Sequence, residues 1–177
     1  MKSNFHKKEY KKRQIVLSHS ISLRGKNFPY SIDESGKVTE HYDPKYYSDF
    51  IDPSIDRVII PIVLINEGWL HPDPISGRFT NWTGKEYSKP DENSLRQNWR
   101  TYRHWSTYSD EQIKSCITLC KELCDRFNIP KKSIGHNVIL DHVERYKGIT
   151  CRSNYSQTYT DLSPSFDFHY FQKELKK

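Results

Sequence analysis

No stretch of this sequence approaches the roughly 18 consecutive apolar residues that a membrane-spanning helix needs. Residues 1–13 are basic and polar, with Lys2, Lys7, Lys8, Lys11, Lys12 and Arg13, and no apolar run long enough for the core of a signal peptide follows them. A secretory signal is therefore not expected. The expectation is synthesis in the cytosol, with some other route of delivery if the protein acts outside. Internal repeats and low-complexity tracts are absent, and so is any Cys-x-x-Cys pair. The four cysteines are Cys116, Cys120, Cys124 and Cys151, the first three recurring every four residues along one helix face. That spacing disfavours local disulfides and a structural zinc site built on cysteine. It predicts buried, reduced thiols in a reducing compartment.

Aromatic residues are plentiful: twelve Tyr, eight Phe and four Trp in 177 residues. A chain of this length with that content is expected to fold as one domain around a real core. The formal net charge of +6 suggests an anionic partner or surface. Nucleic acid, an acidic cell-wall polymer and a merely Lys-rich solvated surface all satisfy it. Nucleic acid has only the N-terminal lysine cluster in its favour.

In chain order, residues 1–13 read as a flexible basic arm, and residues 14–177 as the folded domain. Ile15 to Ser18 is a short apolar strand ending at His19. Residues 30–39 alternate around a polar turn containing Gly36, the pattern of a hairpin. Val58 to Ile65 is the strongest strand signal, a β-branched run expected to be buried on both faces. Pro61 within it points to an edge or a bulge. Residues 70–105 are polar, rich in Pro, Gly and Trp, and read as a long irregular insertion, either functional or an ordered flap. Ser109 to Asn128 is the clearest helix, with Ser109 as cap and an apolar stripe through Ile113, Cys116, Ile117, Cys120, Leu123, Cys124 and Phe127. Ile134 leads into a short strand ending at Gly135-His136. Residues 140–160 read as loop, and Phe166 to Leu175 as a C-terminal helix. The order of elements is mixed α/β.

His19, His136 and Asp161 are the candidate metal ligands. Two imidazoles and a carboxylate suit a catalytic Zn²⁺, which takes three protein ligands and leaves a fourth position for water. Their sequence separation does not demand this reading, because a single histidine is more often a hydrogen-bonded structural residue. His142 lies close enough in sequence to His136 to support it.

Six segments, in order, resemble the zinc-dependent N-acetylmuramoyl-L-alanine amidases, a family that includes amidase-type phage lysozymes and peptidoglycan recognition proteins. They are His19 to Leu23, the Tyr30–Val38 hairpin, the Val58–Gly68 strand, Trp105-x-x-Tyr108-x-x-Glu111-Gln112, Ile134-Gly135-His136, and Thr160-Asp161-Leu162-Ser163-Pro164-Ser165-Phe166-Asp167-Phe168. The resemblance implies a single α/β domain with a central mixed sheet flanked by helices. It implies Zn²⁺ held by His19, His136 and Asp161. It also implies cleavage of the amide between the lactyl group of muramic acid and L-alanine. The partner would be peptidoglycan or a muropeptide, and the protein a phage lysin or a virion-borne wall enzyme that could touch phage structural proteins. In such a site zinc lowers the pKa of its water to about 7 and polarises the amide carbonyl.

The chain departs from the family where a glutamate commonly transfers the proton. The matching residue of the central strand is Val63. Glu67 has the same strand parity but lies about 13 Å further on unless the strand bulges. Tyr159 stands where some members carry a lysine, and Arg152 or Tyr159 could stabilise an oxyanion. Glu67 and Tyr159 are thus the catalytic candidates, and Arg152 the substrate-binding one. In a shorter register of the closing motif, Ser163 rather than Asp161 takes the third ligand position. Serine there occurs in members that bind peptidoglycan without cutting it. The second reading is therefore an impaired amidase-fold protein that binds wall fragments or serves structurally in a phage particle.

Overall fold

A computed structural model describes residues 4–23, 27–87 and 94–177. Its frame is a five-stranded mixed sheet of β1 (Gln14–Ser20), β2 (Tyr30–Ile32), β3 (Val38–Glu40), β4 (Ile59–Ile65) and β9 (Gly148–Cys151), ordered β3-β2-β4-β1-β9. β1 runs parallel to both β4 and β9, and β2 is parallel to β4 but antiparallel to β3. Every residue of β4 from Ile59 to Leu64 is buried, as its unbroken apolar run requires. Pro61 does not mark an edge or a bulge. The β1–β4 register runs without a shift from Gln14–Ile59 to Ser20–Ile65, and β2 pairs with β4 only from Ile62 onward. No partner strand flanks Pro61 on the β2 side, which is how a residue without an N–H sits inside the sheet.

Two helices cover one face. α2 (Asp110–Phe127) starts at Ser109, whose side chain accepts from Gln112 N, and ends at Asn128 in the left-handed conformation. α3 (Phe168–Leu175) is capped by the Asp167 side chain, which accepts from Tyr170 N at 2.8 Å. The alternate residues Ile15 and Leu17 of β1 and Ile60, Ile62 and Leu64 of β4 meet the α2 stripe and Phe166, Phe171 and Leu175 in one continuous core. Cys116, Cys120, Cys124 and Cys151 are free, buried thiols in that layer, and burial pushes the Cys124 thiol up to about 11. A one-turn helix, α1 (Pro53–Asp56), precedes β4. No helix among the described residues is long and apolar enough to cross a membrane.

The structure corrects four local expectations. Residues 70–105 are not irregular: β5 (Trp69–Pro72), β6 (Phe79–Asn81), β7 (Ser94–Trp99) and β8 (Tyr102–Ser106) form a second, antiparallel sheet ordered β6-β5-β8-β7. Aromatic stacking holds it, with Trp69 over Tyr102 at 4.4 Å and 11°, and Trp105 fully buried. Strands this short carry too few residues to display a period. The β7–β8 hairpin turns through Arg100 and Thr101, both at positive φ (47° and 75°). Within the expected 140–160 loop, Gly148–Cys151 is the edge strand β9. His136 does not end a strand. Only Ser133 bridges to Ile149, and Gly135 then turns at φ 80°. Finally, residues 4–13 lie against the chain. Phe5 stacks on Tyr42 at 4.5 Å, His6 bridges to Tyr47, and buried Lys12 donates to the carbonyls of Tyr46 and Arg57.

Gln112 ties helix to sheet. Its buried amide donates to Ile32 O at 2.9 Å and to Ile65 O at 3.0 Å. Gln112→Ala leaves both carbonyls without that donor, so unfolding free energy should fall by about 1–3 kcal/mol. Urea titration followed by circular dichroism measures it.

Candidate active-site cleft

The parallel strands β1 and β4 end together, and the turns beyond their carboxyl ends shape a cleft. At the end of β1 successive side chains face opposite sides of the sheet. Ser18, facing one way, donates its hydroxyl to Asp161 Oδ2. His19, facing the helix side, hydrogen-bonds through Nδ1 to the Tyr108 hydroxyl at 2.7 Å. Past the end of β4, the Asn66 side chain accepts from Gly68 N and donates to Thr107 O, fixing the turn. Gly68 adopts φ +74°, and a Cβ placed there would come within 2.8 Å of His19 Nε2. The position therefore needs glycine twice over, for its backbone and for room beside the imidazole.

The resulting cavity has a volume of about 330 Å³, lined among others by His19, Trp69, Trp82, Arg152, Thr160 and Asp161. That is the size of a small-ligand site with apolar walls and a few convergent polar groups. The aromatic walls come from the second sheet, so the insertion completes the cleft. Trp82 keeps 56% of its surface exposed at the rim. Burial lowers the His19 pKa, the Asp161 carboxylate pulls it back up, and Arg152 lowers it further. His19 is thus neutral at pH 7. Burial holds Tyr108 far above the ordinary phenol range, so it remains a neutral hydroxyl.

The structure brings His19, Arg152 and Asp161 to one cleft and places the other candidates elsewhere. Arg152 lies with its guanidinium 4.1 Å over the Tyr159 ring and 5.4 Å from that of Phe50. Tyr159 thereby supports Arg152 from behind and does not line the cavity. Glu67 lies beyond the end of β4, accepts from Asn81 Nδ2, and lines a separate small cavity of about 120 Å³ with Asn66 and Gln112. Ser163 is fully buried and bonded to Ser165 Oγ at 2.7 Å, whereas Asp161 faces the cleft. His142 pairs with Glu144 at the surface.

His136 is set apart. Its ring packs 4.5 Å from Trp99 and 5.0 Å from Phe168, and its buried Nε2 has no hydrogen-bond partner. Among the described residues, no three His, Cys, Asp or Glu side chains converge into a group that could hold a metal ion. The arrangement does not fit a three-ligand zinc centre, although it leaves His136 Nε2 unpaired and His19 with only Nδ1 engaged. Sequence reasoning missed Ser18 and Gly68 as parts of this site. Tyr108 was visible only as the entry to α2.

Residues 2–154 match the sequence profile of the N-acetylmuramoyl-L-alanine amidases. The chain belongs to that family. The matched span holds His19, Glu67, His136 and Arg152 and ends before Tyr159 and Asp161. Among solved structures, the N-acetylmuramoyl-L-alanine amidase LysC from Clostridium intestinale URNW is similar over 94% of this chain and 87% of its own, with a TM-score of 0.55 and 11% identity. The endolysin amidase LysCS from the same organism matches equally well over 85% of its length. At such identity these two speak for the fold alone. A curated relative, beta-glucosidase 1B from Phanerodontia chrysosporium, is 25% identical over 186 residues. The match takes in 83% of this chain but spans only 31% of that protein's length.

The geometry leads to two expected outcomes. Gly68→Ala forces a left-handed alanine against His19 and should cost about 1–2 kcal/mol of stability. Chemical denaturation reads the loss, and the His19 ring resonances should shift in the folded fraction. The second concerns acid. Burial, then Arg100, lowers the His136 pKa from 6.5 to about 4. An unfolded histidine takes its proton near 6.5, so between 6.5 and 4 the unfolded chain binds more protons than the folded one. The metal-free protein should therefore lose stability as pH falls through that window. Melting curves in a pH series check this, and His136→Gln should flatten them.

Proposed function

We propose that this chain is a peptidoglycan hydrolase that cuts the amide between muramic acid and L-alanine. The observation that carries the reading is the cleft at the carboxyl ends of β1 and β4. There a neutral His19, the Asp161 carboxylate and the Arg152 guanidinium converge beneath aromatic walls, in a chain of the amidase family. Trp69 and Trp82 provide apolar surface for a sugar ring, and Arg152 places fixed positive charge where negative charge develops on the amide oxygen. Glu67 and Tyr159 remain catalytic candidates, each one residue removed from the cavity through Asn66 and Arg152. Zn²⁺ is the proposed cofactor, with His19, His136 and Asp161 as its ligands. His136 Nε2 is unpaired and His19 makes one ring-nitrogen hydrogen bond, but the three side chains do not converge among the described residues. When bound it would supply an activated water. Release by lysis or carriage in a virion, where phage proteins would be partners, goes with the endolysin name of one structural relative.

A second reading is favoured by one observation. Val63, where the family commonly has its proton-transfer glutamate, is a core residue with 1% exposure. Among the described residues that line the cleft, Asp161 is the sole carboxylate. A chain so arranged could hold wall fragments without cutting them.

Purified peptidoglycan incubated with the protein separates the two. New L-alanine amino termini, labelled with fluorodinitrobenzene, should accumulate with wild type and fall at least about 100-fold with Asp161→Ala. Binding to the sacculus without new termini supports the binder. Undiminished release by Asp161→Ala contradicts the proposed site.

A further inference from the structure

The cleft lies at the carboxyl ends of the parallel strands, and the amino ends of the same strands carry a different chemistry. Three adjacent parallel strands, β4, β1 and β9, are each entered from a basic residue. Arg13 directly precedes β1, Lys147 directly precedes β9, and Arg57 stands two residues before β4. The three entries are level. Arg13 donates its N–H to Val58 O at 2.9 Å, and Gly148 N donates to Arg13 O at 3.2 Å. Neighbouring strands lie about 4.8 Å apart, so the backbones carrying these cations span about 10 Å. The segment leading into β1 adds Lys8 and Lys11. Lys132, whose carbonyl accepts from Ile149 N at 2.8 Å, joins them beside β9. The side chains of Lys8, Lys11, Arg57, Lys132 and Lys147 are all exposed.

This charge is not cancelled locally. The first 13 residues hold six basic side chains against one acid, Glu9, so they carry nearly all of the formal net charge of +6. Among the described residues, Lys8, Lys11, Arg57, Lys132 and Lys147 enter no ion pair. Arg13 Nε is buried with no hydrogen-bond partner. The carboxylates nearby are engaged within the fold. Buried Asp56 accepts from the backbone N–H groups of Phe50, Ile51 and Asp52, and Glu9 pairs with Lys45 at 3.0 Å. Glu144 lies 3.2 Å from His142 and 3.7 Å from Arg145. The aromatic rings at this end are taken up by its own cations. Lys8 and Arg57 lie 5.3 and 5.7 Å from the Tyr10 ring, and Lys132 lies 5.1 Å from that of Tyr146. That pattern suits a polymer of phosphates and disfavours the stacking of nucleobases.

We propose that the amino ends of β4, β1 and β9 form a binding surface for a phosphodiester polymer of the cell wall, of the teichoic acid type. Its repeating negative charge complements a row of unpaired cations, and its flexible backbone needs no fixed groove. β1 is seven residues long, so this surface and the cleft stand about 20 Å apart at opposite ends of one strand. The protein can therefore hold an anionic wall polymer at one end while the cleft stays open at the other. The choice of a wall polymer over other polyanions rests on the peptidoglycan reading of the cleft. The surface itself does not depend on catalysis.

The test uses the full chain and purified poly(glycerol phosphate) teichoic acid, with binding followed by titration calorimetry at two salt concentrations. Wild type should bind, and more salt should weaken the binding. A triple variant, Lys8→Gln with Arg57→Gln and Lys147→Gln, should bind at least about 10-fold more weakly with an unchanged melting temperature. Lys8→Gln with Lys147→Gln serves if the triple variant does not fold. Cosedimentation with sacculi should fall at least about 10-fold once hydrofluoric acid has removed their phosphodiester polymers. Release of L-alanine amino termini from those stripped sacculi should be the same for wild type and variant. Polymer binding undiminished in the folded variants overturns the inference, as does no binding by wild type. Tighter binding to duplex DNA than to the polymer at equal phosphate concentration also overturns it, in favour of nucleic acid. Charge-dependent polymer binding by a protein that releases no L-alanine termini supports the surface and counts against the amidase reading alone.

Discussion

The end of β1 is the constraint on which the site depends. A buried parallel strand delivers two consecutive polar residues to the carboxyl edge of the sheet, and each is tied to a distant part of the chain. Ser18 bonds to Asp161 and His19 to Tyr108, contacts separated by 143 and 89 positions in sequence. Each unsatisfied polar group here would cost about 1–3 kcal/mol. The strand end thus fixes the closing segment on one side and the entry to α2 on the other. The core beneath supplies the rigidity that lets these bonds hold one geometry.

The second sheet gives the cleft its walls. Without it, His19 and Asp161 would stand at an open sheet edge. With it, Trp69 and Trp82 flank the polar floor, and Arg100 at the β7–β8 tip donates to the Ser156 carbonyl. Construction of this kind separates stability from recognition. The five-stranded sheet and α2 carry the core, while the small antiparallel sheet walls the cleft.

Much of the fold was legible because its longest elements announce themselves. The apolar run of β4 and the capped α2 with its thiol stripe lie where periodicity and capping chemistry put them, and α3 starts two residues after the expected Phe166. The second sheet was not legible. Its strands of three to six residues are held by cross-strand aromatic pairs such as Trp69 and Tyr102, which leave no period in the sequence. β9 escaped notice because its four residues are too few to show a period. In the site, His19, Arg152 and Asp161 were legible from residue type and segment order. The hydrogen bonds of Tyr108 and Ser18, the slot left by Gly68 and the reach of Arg100 exist only once distant segments are folded together.

The central claim is that the muramoyl–L-alanine amide sits in the cleft beside His19 and Asp161. Titrating the isotope-labelled protein with muramoyl-L-alanyl-D-isoglutamine and following assigned resonances tests it most directly. Saturable shifts should concentrate at His19, Gly68, Trp69, Trp82 and Thr160. Shifts confined to the basic residues 4–13, or none at ligand concentrations up to the solubility limit, would contradict the account.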